Sequence, residues 1–384
     1  MVGRPGGDLG LYVHIPFCSA ICNYCNFNRG LFDADLKRHY VDALHQEIRR
    51  RSDGEAADTI FFGGGTPSLL EPAEIGDLIA SCRNAFALSP DAEITLEANP
   101  ETVSQERLIG FREAGINRLS FGVQSFRDEE LHRLSRLHSA ARARAAVVEA
   151  RGAGFENISL DLMMWLPQQS IAEWLESVEA LIDLGPDHAS LYLLEIYPNA
   201  PLRDAMARGR WSLAPDDDAA EMYLQAMERL DRAGYQQYEI SNVSRPGRRS
   251  AHNLKYWTDG EWLGFGCGAH STRNGVREKN VSSTTEYIAR VAERGQISGE
   301  RRVLTPQERV EEALFTGLRL ADGIDLAGVK SRYGVDVRAA YGRELQPFVD
   351  AGLLIYDDAR MYLARPGMLL AHEVMTVFIN SSVR

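Results

Sequence analysis

The chain has 384 residues, is 45% hydrophobic and 25% charged, and carries a net charge of −12, a size and composition that allow one large globular domain beside a smaller one. The acidic balance excludes a general nucleic-acid binder, which needs a basic footprint. No apolar run is long enough to span a membrane, no signal-peptide core opens the chain, and five cysteines, few and odd in number, fit a reducing cytoplasm better than a disulfide framework.

Short apolar runs alternate with helical periodicity through the first half. Strands are expected over 11–15, 59–63, 93–97, 118–123, 157–162 and 189–193, with helices over 34–51, 72–86, 105–114 and 171–184 between them. Parallel strands need long crossovers, so this pitch predicts a parallel sheet. Six β/α units are too few to close an eight-unit barrel, and a curved, partly open (β/α)6 barrel over 9–200 is the expected α/β shape. A long helix over 217–233 follows, then short strands and loops rich in Gly, Asn and Ser up to residue 300. From 304 onward the pattern reads as helices and a small hairpin over 352–363, a helical tail of winged-helix character. The expected boundaries are 1–205 for the barrel, 206–300 for its extension and 301–384 for the C-terminal domain.

Directly after the first strand, Cys18, Cys22 and Cys25 stand in C-x3-C-x2-C spacing with no fourth cysteine nearby. A cubane iron–sulfur cluster takes four thiolates, so three leave one iron open to an exchangeable ligand. S-adenosylmethionine (SAM) radical chemistry uses such an open iron, because the methionyl amine and carboxylate must chelate it. A zinc site completed by His14, or plain buried thiols, stay open as readings of the same triad. The other unusual residues gather where strands of a parallel barrel end, the usual seat of function. They are the turn Gly63-Gly-Gly-Thr-Pro67, Glu97, Gln124 with Ser125, and Asp161. Each alone reads equally well as a surface or capping residue; together they form a ring of hydrogen-bonding groups able to hold a nucleoside with an amino-acid tail.

The runs Tyr12-Val-His-Ile-Pro-Phe-Cys18, Phe62-Gly-Gly-Gly-Thr-Pro-Ser68, Leu96-Glu-Ala-Asn-Pro100, Ser120-Phe-Gly-Val-Gln-Ser-Phe126 and Leu160-Asp-Leu-Met163 resemble, in order, the radical SAM coproporphyrinogen-oxidase-like family. The resemblance implies a [4Fe–4S] cluster on Cys18, Cys22 and Cys25. It also implies SAM contacts from Tyr12, Tyr24, Gly64, Gly65, Thr66, Glu97, Gln124, Arg136 and Asp161, with Arg136 as the positive member of the set. Oxygen-independent coproporphyrinogen III oxidases carry a further cysteine two places after the third; here that place is Phe27, as in the HemW-type heme chaperones. His252-Asn-Leu-Lys-Tyr256 is similar to the heme-binding run of that branch, which makes His252 a candidate axial ligand for heme. The bland role of His252 and Asn253 is to fix loops at the barrel mouth. Cys267 and His270 are alternative soft ligands, and Cys82 reads as a buried thiol. Two departures stand out: Asn26 replaces an Asp, and Trp165 replaces a glycine, adding a large ring near the expected cavity.

The expectation is therefore a cytoplasmic radical SAM heme chaperone that uses a reductant such as flavodoxin or ferredoxin. Its partners are a heme-acceptor protein and, peripherally, membrane heme proteins, and it binds no nucleic acid. The alternatives are coproporphyrinogen III oxidation and another radical SAM reaction on a tetrapyrrole.

Overall fold

A computed structural model describes residues 7–198 and 200–380. The first six residues, part of the segment read as lacking a signal-peptide core, lie outside the described residues, as do Asn199 and 381–384. Strand and helix alternate as the periodicity predicts, with one further crossover helix, over 140–152, that was not expected. β1 (Leu9–Ile15), β2 (Ala56–Gly64), β3 (Ala87–Ala98), β4 (Arg118–Gln124), β5 (Ile158–Met164) and β6 (His188–Leu193) lie side by side in chain order, all parallel. The crossovers carry α1 (Ala34–Arg50), α2 (Pro72–Ala85), α3 (Gln105–Glu113), α4 (Ala140–Gly152) and α5 (Ile171–Leu184). In β1 the period of two is plain. Leu9, Leu11, Val13 and Ile15 are fully buried in the apolar core, while Gly10, Tyr12 and His14 face the barrel interior. The helices are closed by local chemistry. Ser170 and Glu173 form a capping box on α5, which ends at Gly185 with φ of 60°, a conformation glycine adopts without strain.

The sheet does not stop at six strands. Beyond α6 (Asp216–Arg232), β7 (Gln236–Glu239) and β8 (Asn242–Ser244) extend it antiparallel from β6. After α7 (Ala251–Trp257), β9 (Trp262–Phe265) lies parallel to β1 on its free side. β10 (His270–Arg273), β11 (Val276–Asn280) and β12 (Ser298–Val303) continue outward, antiparallel, with α8 (Thr284–Ala292) between the last two. The order is β12-β11-β10-β9-β1-β2-β3-β4-β5-β6-β8-β7, twelve strands.

The tail packs α9 (Pro306–Gly317), α10 (Leu326–Tyr333) and α11 (Val337–Asp350) with the strands β13 (Ile324–Asp325), β14 (Leu354–Tyr356) and β15 (Arg360–Leu363), then α12 (Ala371–Asn380). β14 and β15 form the expected hairpin. One apolar core runs from β1 to Phe378, joining barrel and tail. At the seam Arg319 pairs with the buried Glu239 at 2.9 Å and lies over the Trp257 ring at 4.4 Å. Among the described residues no helix is long and apolar enough to cross a membrane.

Candidate functional site

Phe17–Cys18 and Gly30–Leu31 pair as two short parallel strands and pinch the intervening chain into a loop that carries Cys22 and Cys25. Asn28 ties this loop to the barrel: its side-chain amide donates to the carbonyls of Cys267 and Ser282, each at 3.0 Å, and its own carbonyl meets His14 Nε2 at 2.8 Å. All three cysteines are free thiols. Burial raises the pKa of Cys18 and Cys25, so a partner that stabilises thiolate has something to supply. Among the described residues no three His, Cys, Asp or Glu side chains converge on the point a single ion would occupy. His14 is also engaged through both ring nitrogens, to Tyr12 Oη at 3.1 Å and to Asn28. The zinc reading therefore lacks its fourth ligand, whereas a multi-iron cluster needs only one thiolate per iron.

The three thiols edge a cavity of about 340 Å³ at the C-terminal ends of β2 to β6. The Gly63–Gly65 turn is packed so closely that a Cβ on Gly65 would stand 2.7 Å from the Phe17 carbonyl and 3.0 Å from Cys18 Sγ, and Gly64 has φ of 117°. Bare backbone is thus a requirement of the cradle. Glu97 accepts from the Gly64 N–H at 3.1 Å; burial, with Asp161 nearby, pushes its pKa up to about 8. Burial likewise raises Asp161 to about 6, and Ser120 donates to it at 3.4 Å. Gln124 has φ of 70°, and its buried Oε1 has no partner among the described residues. Arg136 donates to Asn99 Oδ1 at 2.8 Å and the Gly122 carbonyl at 2.6 Å, and lies 3.5 Å from Cys22 Sγ. Two carboxyls, an orphaned amide oxygen, a guanidinium and a backbone cradle beside three thiols suit a small ligand that carries cationic, hydroxyl and carboxylate groups together. SAM and a [4Fe–4S] cluster fit that donor set.

Of the residues expected to meet SAM, Tyr24, Gly64, Gly65, Thr66, Glu97, Gln124, Arg136 and Asp161 line this cavity. Tyr12 is not among the lining residues; it lies one layer beneath, under Gly63 and against Phe61. Asp161 sits in mid-strand rather than at a strand end. Asn99, which holds Arg136, and Tyr192, which faces Asp161, were not singled out from sequence. Asn99 lies inside a run already quoted, and Tyr192 shares the inward period of β6 with Ser190. Trp165 does not fill the cavity: its indole N–H donates to the Ala214 carbonyl at 2.9 Å. Its φ of 62° gives the reason a glycine is usual at that place.

His252 lies elsewhere. It is on α7 at the N-terminal end of the parallel strands, so the expected placement at the barrel mouth is corrected to the opposite end. The ring is fully buried and stacked on Phe61 at 5.1 Å, and burial lowers its pKa to about 3. Nδ1 meets Thr59 Oγ1 at 2.8 Å and Nε2 meets Tyr256 Oη at 2.9 Å, so in this conformation neither nitrogen is open to iron. Cys267 is buried against Tyr40 and Asn28, and His270 is exposed on β10. Cys82 is buried in α2, its thiol pushed up to about 12 by burial.

The profile of the radical SAM superfamily matches residues 12–181, and that of the HemN C-terminal domain matches residues 304–370. A protein of Bacillus subtilis named heme chaperone HemW is 37% identical over 96% of this chain and 98% of its own. The heme chaperone HemW of Escherichia coli is 42% identical over 68% and 69% of the two chains. The solved structure of coproporphyrinogen III oxidase (HemN) from Escherichia coli, a radical SAM enzyme, superposes with a TM-score of 0.86 at 26% identity, covering 98% of this chain and 91% of that one.

Proposed function

This chain belongs to the HemW-type branch of the radical SAM superfamily, and from that membership we propose that it is a heme chaperone. In this reading it carries a [4Fe–4S] cluster on Cys18, Cys22 and Cys25, binds SAM, and passes heme to an acceptor protein. The observation that carries the reading is the open triad. Three thiols edge a cavity furnished with Glu97, Gln124, Arg136 and Asp161, and the place of a further cysteine is taken by Phe27, which is 64% exposed and bears no ligand atom.

A cluster of this kind with SAM on its open iron supplies reductive cleavage of the sulfonium. The chain's own residues have simpler tasks. The Gly64–Thr66 turn meets the ligand through backbone atoms, Glu97 and Asp161 take its cationic and hydroxyl groups, and Arg136 faces its carboxylate while keeping Asn99 and the Gly122 carbonyl in register. Reduction requires an electron donor such as a flavodoxin or ferredoxin, and the net charge of −12 favours a contact patch that is positive on the partner.

The deciding experiment is heme titration of the anaerobically reconstituted protein, with and without SAM. Stoichiometric binding and transfer to an apo-heme protein are expected. A protein that takes no heme ends the chaperone reading. The likeness to HemN gives the second reading its support, and robust conversion of coproporphyrinogen III to protoporphyrinogen would establish it.

A further inference from the structure

Beneath the floor of the SAM cavity lies a cation that the site as described does not use. Arg118 opens β4, and the period of two sets its direction. Leu119, Phe121 and Val123 are buried in the apolar core outside the barrel, whereas Ser120, Gly122 and Gln124 line the cavity. Arg118 therefore points inward, one step below Ser120. It is 1% exposed, among the largest fully buried side chains, yet it does not line the cavity. Among the described residues its side chain has no hydrogen bond or ion pair, and its Nε is buried without a partner. Thr95, opposite it in register on β3, has an equally unpartnered Oγ1.

A guanidinium keeps its charge inside a protein, and a buried cation with no anion against it is costly. The strand register supplies the balance. Ser120, the next inward residue, is paired with Glu97 on β3 and donates to Asp161 on β5 at 3.4 Å. Arg118 thus sits one layer under both carboxyls, on the strand between theirs, and its charge opposes what burial does to each of them. The remaining groups nearby are neutral or already engaged. Below, Glu93 accepts from the Ala251 and His252 N–H groups, and burial keeps His188, His252 and Tyr238 uncharged. Above, the Tyr12, Tyr192 and Tyr256 phenols face the carboxyls without charge. Arg136, the second cation near Asp161, is held by Asn99 and the Gly122 carbonyl.

We propose that Arg118 is a positioning residue for SAM, the buried cation that lets Glu97 and Asp161 carry charge in a dry floor when the cationic group of the ligand arrives. It acts through the two carboxyls and does not touch the ligand. The proposal rests on the SAM reading of the cavity and adds to it the source of its charge balance.

The test is equilibrium dialysis of labelled SAM against the anaerobically reconstituted full chain, with the cluster oxidised so that the ligand is not consumed, across a series of pH values. Arg118→Gln is expected to move the acid limb of SAM binding up by about one pH unit, a loss of up to about tenfold at pH 7 that shrinks as pH rises. Arg118→Lys, which keeps the charge, is expected to hold the limb near its wild-type place. The amine of SAM titrates alike in all three proteins, so the difference between them reports on the floor. An unmoved limb in Arg118→Gln, a loss equal at every pH, or a limb displaced as far in Arg118→Lys would overturn the proposal and leave the SAM reading intact. A wild-type protein that carries its cluster and takes no SAM would end both. If Arg118→Gln does not fold alone, adding Asp161→Asn, which removes the charge that has lost its partner, is expected to restore soluble protein; no restoration would likewise overturn the proposal.

Discussion

Glu97 and Asp161 keep their protons at pH values where a surface carboxyl has lost them, because the cavity floor offers little water. The folded protein therefore binds protons that the unfolded chain releases. For Glu97 the stabilising contribution is whole below its ordinary pKa of 4.5 and is lost as pH rises toward about 8. His252 has the opposite sign. Its pKa falls from 6.5 to about 3, so its contribution is present above 6.5 and lost as pH falls toward 3. Above pH 6.5 only the carboxyl trend remains of these two. The melting temperature of the apo-protein is expected to fall between pH 6.5 and 8, and Glu97→Gln to flatten that limb; an unchanged slope in the variant would contradict the assignment. Gly65 makes a second residue-scale prediction. A methyl group there collides with the Phe17 carbonyl and Cys18 Sγ, so Gly65→Ala, like Cys22→Ala, is expected to lose most of the cluster absorbance after reconstitution, while far-ultraviolet dichroism stays near wild type. The cysteines and the glycine turn were legible because their chemistry is local in sequence. Asn99 and Tyr192 were not, since their roles arise only when β3, β4 and β6 come together.

At the scale of elements, α7 is a seven-residue plug held by side chains from distant strands. Glu93 on β3 accepts from the backbone N–H groups of Ala251 and His252, each at 3.0 Å, and Thr59 on β2 holds the imidazole. So short a helix has little stability of its own. Glu93→Ala takes the acceptor from two first-turn donors, that of His252 part-buried, and is expected to cost about 2 kcal/mol in urea unfolding, with earlier hydrogen exchange in α7 than in the parallel strands. The six parallel strands and four of their five crossover helices were readable from periodicity, because burial on both faces writes continuous apolar runs; α4, an Ala- and Arg-rich stretch without a clear apolar stripe, was not assigned. The outer strands were not. β11 carries Val-Arg-Glu-Lys-Asn, mostly half-buried, and β12 carries Ser-Gly-Glu-Arg-Arg-Val, largely exposed; such charged runs resemble loops until a neighbouring strand supplies their hydrogen bonds. α7 was recognised as a motif, yet nothing in its residues says which end of the barrel it closes.

For the molecule as a whole, ion pairs such as Arg249–Asp322, Arg332–Asp259 and Arg365–Asp231 rim the seam between barrel and tail, and one pair lies at its buried centre. Arg319 satisfies Glu239, which is fully buried, and covers Trp257. Arg319→Met leaves that carboxylate without its cation and is expected to lower stability by about 3 kcal/mol, the cost of an unpaired buried charge. Guanidinium denaturation monitored by tryptophan fluorescence reads it directly. Sequence patterning revealed a barrel and a tail as successive segments, but the single core uniting them depends on contacts far apart in the chain. The same breadth of sheet has a further consequence at β12. That strand is the last of twelve, and an unpaired strand edge is a template onto which a second molecule can zip. Glu300, Arg301 and Arg302 project from it, exposed. A second strand adding to this edge would have to strip water from these charges and break their pairs with Glu278 and Glu308, so charged side chains on the edge oppose its extension. Arg301→Val with Arg302→Val is expected to leave the fold intact and yet to promote thioflavin-positive assemblies on concentration that the wild type does not form, an effect that light scattering would register before any change in cofactor binding.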